Sequence, residues 1–130
     1  MIDRYLADVR ANLQALRHVI AHDTLTVERP EGISLAYLKG RVTFLDGSQL
    51  AIAEIIGPSS RAYRFHYMDR GNRLIARWDS APHHRHLTTF PFHLHTPDSV
   101  NESPDVNRPT RGPLHPGSAH PAARFPVAPF

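Results

Sequence analysis

Between Trp78 and His95 the chain reads Trp78-Asp79-Ser80-Ala81-Pro82-His83-His84-Arg85-His86-Leu87-Thr88-Thr89-Phe90-Pro91-Phe92-His93-Leu94-His95, and five of the ten histidines fall in this span. Imidazole titrates near neutral pH, with an unperturbed pKa of about 6.5, so it can carry a proton, ligate a metal or contact a phosphate. Packing alone seldom selects such a density. Two prolines and the Thr88-Thr89 pair argue against a regular helix, so a His-rich loop is expected here.

Three uses of the histidines follow from their chemistry. Metal-independent cleavage of RNA needs a base for the 2′-hydroxyl, an acid for the leaving 5′-oxygen and cations for the charge on phosphate. His66, His83, His84, His93 and His95 can supply the base and acid, with His66 and either His83 or His84 favoured. Arg64 and Arg77 can hold the phosphate, and Asp79 can orient an imidazole. Tyr63, Phe92 and Trp78 are candidates for stacking bases, although alternation puts Tyr63 and Trp78 in the core. A second use is a metal: His83-His84-x-His86 and His93-x-His95 contain enough imidazoles for a His₃ zinc or nickel site, with Asp79 as a further oxygen ligand. That spacing matches no specific metal motif, and neither metal nor cofactor is assigned. The third use is structural, with imidazoles pairing to carboxylates and carbonyls; His86 is the first candidate for such an idle role. Geometry discriminates among these. Catalysis requires two imidazoles and an arginine around one phosphate-sized space, whereas three nitrogens converging on a point about 2 Å from each indicate a metal.

The elements that must position these groups are readable from periodicity. Ile2, Tyr5, Leu6, Val9, Leu13, Leu16, Val19 and Ile20 recur at helical spacing, which predicts an amphipathic helix ending near His22-Asp23. Strands are expected over Thr24–Arg29, Leu35–Leu45, Leu50–Ile56, Tyr63–Met68 and Arg73–Asp79. Asp46-Gly47 between two alternating apolar runs is a strong hairpin signal, and a second turn falls at 69–72. In the second hairpin, period two puts Tyr63, Phe65 and Tyr67 with Leu74, Ala76 and Trp78 on one face. Arg64 and His66 then share the other with Arg77 and Asp79. Glu54 has the parity of an apolar set, so it is either at a strand end or paired near the site, with Arg64 or Arg77 as its natural partner.

Composition sets bounds. The 130 residues contain no cysteine, which excludes disulfides, thiol nucleophiles and Cys-based metal sites. The formal charge is +3, yet residues 1–106 hold all twelve acids and twelve of the fifteen bases, so the excess lies in residues 107–130. Net charge therefore does not argue for a polyanion partner. Neither a secretory leader nor a membrane span is read at this level, and a cytoplasmic location is expected. In residues 107–130 six of twenty-four positions are proline and none is acidic, the composition of a disordered tail. A shifted reading frame of a GC-rich gene would yield the same composition.

The combination Leu45-Asp46-Gly47-Ser48-x-Leu50-x-x-x-Glu54, then Tyr63-Arg64-Phe65-His66-Tyr67, Leu74-Ile75-x-Arg77-Trp78-Asp79-x-Ala81-Pro82-His83-His84 and Thr89-Phe90-Pro91-x-His93-x-His95 resembles the TumE family of prokaryotic toxin–antitoxin systems over about residues 1–104. The resemblance implies a small α+β toxin with an antitoxin protein as partner; RNA as its target is an expectation by analogy with similar small toxins. Carried over by position, the family's polar motif falls on Arg64, His66, Arg77, Asp79, His83, His84, His93 and His95. Phe92 stands where a histidine is common in the family, and beyond Ser103-Pro104 the implied terminal helix gives way to the Pro-rich tail.

The sequence thus predicts one α+β domain over residues 1–106. Its N-terminal amphipathic helix packs on an antiparallel sheet of about five strands, followed by a His-rich loop; residues 107–130 form a disordered Pro/Arg-rich tail. The expected function is a toxin acting as a small metal-independent ribonuclease. His66, His83, His84, Asp79, His93 and His95 are its catalytic residues, and Arg64 and Arg77 bind RNA. The alternative is a non-catalytic interaction protein, including one loaded with a His-ligated metal.

Overall fold

A computed structural model describes residues 1–106, so the expected tail lies outside the described residues. Helix α1 (Ile2–Ala15) buries Ile2, Tyr5, Leu6, Val9 and Asn12, the one-sided stripe that a 3.6-residue period produces. It stops earlier than its apolar period suggests. Val19 and Ile20 are β-branched and lie beside a long strand: Leu45 donates its amide to the Val19 carbonyl at 2.9 Å, and Ile20 pairs with Phe44. Strand β1 (Ile20–Asp23) therefore replaces the expected last turn, because tertiary pairing outweighs a weak helical preference.

The sheet has eight antiparallel strands rather than about five. After β1 come β2 (Thr26–Glu28), β3 (Ala36–Phe44), β4 (Gln49–Ile56), β5 (Arg61–Met68), β6 (Leu74–Asp79), β7 (His93–His95) and β8 (Val100–Glu102). Spatial order is β1-β3-β4-β5-β6-β7-β8, with β2 also on β3. The extra strands are short: β1 and β2 divide one edge of β3 between them, and part of the expected loop is the β7–β8 hairpin. Gly40 marks the division. Its φ is 145°, and a Cβ there would lie 2.6 Å from the Thr24 carbonyl oxygen.

Both expected hairpins are present. At the first, the Asp46 carboxylate accepts from the Ser48 amide at 2.8 Å, while Gly47 has φ 86°. At the second, Asp69 accepts from the amides of Gly71 and Arg73 at 2.8 and 3.0 Å. Helix α1 covers one face, where Leu38, Val42, Leu50, Ile52, Ile56, Tyr63, Phe65 and Tyr67 are buried with it. The helix leaves the other face uncovered.

Candidate functional site

Register builds the site on the uncovered face. Residues directly opposite in an antiparallel pair share a face, with strands about 4.8 Å apart. Lys39, Ala53, Arg64, Asp79 and His93 form one transverse row across β3 to β7. The adjacent row is Arg41, Ala51, His66, Arg77 and His95. In the second row Arg77 lies between two imidazoles. Six of the eight sequence-derived residues are thus on one face of the sheet, two residues deep along each strand, with Asp79 and His93 buried there.

Asp79 is the anchor. It is 3% exposed; its Oδ1 accepts from the Ala81 amide at 2.7 Å and its Oδ2 from Arg64 Nε at 3.1 Å. Burial would raise its pKa, but the Ala81 amide and the Arg64 guanidinium outweigh burial and hold the carboxyl below its ordinary value. Arg77 Nε stands 3.9 Å from Asp79 Oδ2, beyond hydrogen-bond range, and has no hydrogen-bond partner. One arginine is tied to the carboxylate; the other has an unused donor.

His66 is half-buried, and its pKa is lowered first by burial and then by Arg77, Arg64 and Arg41. His95 is lowered by burial, Arg77 and the neighbouring imidazoles of His93 and His84. Both are therefore disposed to be neutral at neutral pH.

The segment after Asp79 is a series of turns rather than a slack loop. Leu87 donates to the His84 carbonyl, Phe90 to Leu87 and Phe92 to Thr89, while the Thr89 hydroxyl accepts from Ser103 at 3.0 Å. His84 has φ 54°, a left-handed conformation uncommon for a side-chain-bearing residue. It brings the His84 ring 5.0 Å from that of His93 and 5.5 Å from that of His95, and the latter two are 4.8 Å apart. Loss of solvent and the surrounding imidazoles lower the His84 pKa.

The five histidines therefore divide. His84, His93 and His95 converge; His83 and His86 are exposed, with rings 6.4 and 5.9 Å from His84. His83, a favoured proton carrier from the sequence, stands outside the convergent group.

One expectation needs correction. Glu54 does not pair with Arg64 or Arg77, which face the opposite side of the sheet. Its Oε2 accepts from Arg61 at 2.9 Å and from the Tyr5 hydroxyl at 2.5 Å, under the helix. Arg61 shares parity with Tyr63, a signal available in the sequence once the strand is started at Arg61. Tyr63 and Trp78 are internal, as their alternation predicts, and Phe92, the remaining stacking candidate, also packs against the core, its ring 6.0 Å from that of Tyr63.

One surface element was missed. A groove of about 410 Å³ runs along the uncovered face beside Arg64 and Asp79, lined among others by Tyr37, Lys39, Ala53 and Ile55. Alternation along β3 gives Tyr37 and Lys39 the parity of Arg41, but only the register carries that row across to Arg64.

The family model described as Toxin TumE matches residues 8–114. No curated protein and no solved structure matches the chain.

Proposed function

Since the chain belongs to the TumE toxin family, we propose that it is the toxin of a toxin–antitoxin pair and cleaves RNA on the uncovered face of its sheet. The observation that carries this reading is the row His66–Arg77–His95, in which the cation lies between two imidazoles. A phosphodiester seated on Arg77 has an imidazole on each side, the layout that acid–base cleavage requires.

His66, kept neutral, removes the proton of the 2′-hydroxyl. The 2′-oxygen attacks phosphorus, the bond to the 5′-oxygen breaks, and the leaving oxygen takes a proton from His95. The products are a 2′,3′-cyclic phosphate and a free 5′-hydroxyl. Phosphate bound on Arg77 offsets the positive charge that disfavours protonated His95, so substrate itself arms the acid. Arg64, pointed by Asp79, holds a non-bridging oxygen or the next phosphate. The groove edged by Tyr37, Lys39 and Ile55 has an apolar floor for a base beside a cation for its phosphate. An antitoxin is the protein partner that a toxin family implies.

Cleavage of a short single-stranded RNA by the full chain tests the reading, with the cyclic phosphate as the product scored. His66→Ala and Arg77→Ala should each lose about 10²-fold or more in rate, and a 2′-deoxy substrate should be inert. Equal cleavage by wild type and both variants, or of the deoxy substrate, would overturn it.

A further inference from the structure

His93 poses a problem that acid–base chemistry leaves open. It is 1% exposed, and its Nδ1 lies 2.8 Å from the Pro91 carbonyl oxygen, which can only accept. In the neutral ring the proton is therefore on Nδ1, and Nε2 presents a bare lone pair. That Nε2 is buried and has no hydrogen-bond partner. A buried polar atom without a partner has lost its water and gained nothing in return, so a native site that retains one calls for an explanation.

No group lies within hydrogen-bond range of that nitrogen, and the rings beside it are two more imidazoles. One ring nitrogen from each of His84, His93 and His95 lies within 4.8 Å of the others. Nitrogens bound to one zinc at about 2.0–2.1 Å stand roughly 3.4 Å apart in a tetrahedral set. The shortfall is small, and His84 and His95 are only half-buried and can close it by side-chain rotation.

We infer that His84, His93 and His95 form a binding site for a zinc-class transition-metal ion. Three features agree. The Nδ1 bond to Pro91 fixes tautomer and ring orientation as carbonyl partners do for metal-bound histidine. The left-handed backbone at His84 is the kind of local strain found where a side chain must be aimed. Three neutral nitrogens with a partly solvated fourth side suit zinc, nickel or copper, and not the oxygen-preferring magnesium or calcium. Asp79 does not belong to the convergent set, whose ligand atoms come from the three imidazoles alone.

The site overlaps the proposed acid. An ion on His95 occupies the lone pair that must carry a proton, so metal occupancy and acid–base cleavage exclude each other. That consequence, unlike the site itself, rests on the RNA reading: zinc should inhibit cleavage and a chelator restore it.

The test measures metal binding without RNA. Chelator-treated full chain is titrated with zinc chloride by calorimetry, and cobalt(II) is bound in parallel for its visible spectrum. One ion per chain is expected, with strong visible absorption from a low-coordinate cobalt site. His84→Ala and His95→Ala, both at half-buried positions, should weaken binding by more than the roughly 10–100-fold that loss of an outer-shell partner costs. His83→Ala and His86→Ala should bind as wild type does. Absence of binding would overturn the site. So would undiminished binding in His84→Ala, which would place the ion on other imidazoles. One-to-one zinc binding by a chain that cleaves no RNA even when metal-free would support the site and remove only the RNA reading.

Discussion

Arg61 and Glu54 form an ion pair at 2.9 Å between adjacent strands, with side chains 4% and 1% exposed. Arg61 also donates to Asp105 at 2.7 Å and to the Val106 carbonyl, and its guanidinium lies over the rings of Tyr5 and Tyr63. One cation thus joins helix, central sheet and the last described residues. Removing one partner leaves the other charged in a dry setting. Arg61→Ala should lower unfolding free energy by about 3–5 kcal/mol, read from urea midpoints. Glu54→Leu with Arg61→Met should recover most of that loss. A single variant within about 1 kcal/mol of wild type would mean the pair is solvated in solution.

His66 offers a pH prediction with a definite sign. Its folded pKa is below the unfolded value near 6.5, so below that pH the unfolded chain binds more protons. Stability should therefore fall as pH drops from about 6.5 through the lowered folded value, and level off below it. In metal-free protein His66→Asn should show a shallower dependence. Imidazole NMR gives the site-specific check: Arg77→Ala should move the His66 titration upward, and an unchanged midpoint would remove Arg77 as a cause.

Asp79 positions the site and begins the turn that leads to His84. Asp79→Ala removes the acceptor of the Ala81 amide and releases Arg64, at an expected cost of about 1–3 kcal/mol. Amide exchange should quicken at Ala81. Wild-type protection there would show that water replaces the carboxylate without loss.

Gly40 lies where the chain between β1 and β2 passes the middle of β3. Gly40→Ala should destabilise by at least about 1–3 kcal/mol from backbone strain, and more from the clash with Thr24. Thermal unfolding measures it, and an unchanged midpoint would show that the edge can move aside.

Much of this was legible in the sequence because the central strands are long enough to show a period. Alternation in Tyr63–Met68 and Arg73–Asp79 puts Arg64, His66, Arg77 and Asp79 on one face, and the register bears that out. Short elements carry no such signal: His93-Leu94-His95 is three residues, too few to distinguish a strand from a loop. Val19 and Ile20 continue the helical period of α1, while their partners lie about 25 positions further on, so periodicity alone overextends the helix. The approach of His84 to His93 and His95 depends on one left-handed φ, and pattern cannot supply it. Arg61 lies just outside a strand read as starting at Tyr63, so its pairing with Glu54, seven residues earlier, does not emerge from alternation.

The broken margin of the sheet has a consequence for colloidal behaviour. A long straight outer strand is a template on which another copy can polymerise. Here one margin is divided between segments of four and three residues with an irregular register beside Ile20, and the other is the three-residue β8. Neither gives an incoming strand a long ladder to extend. A wide open sheet of the described residues therefore carries margins too short and broken to seed fibrils.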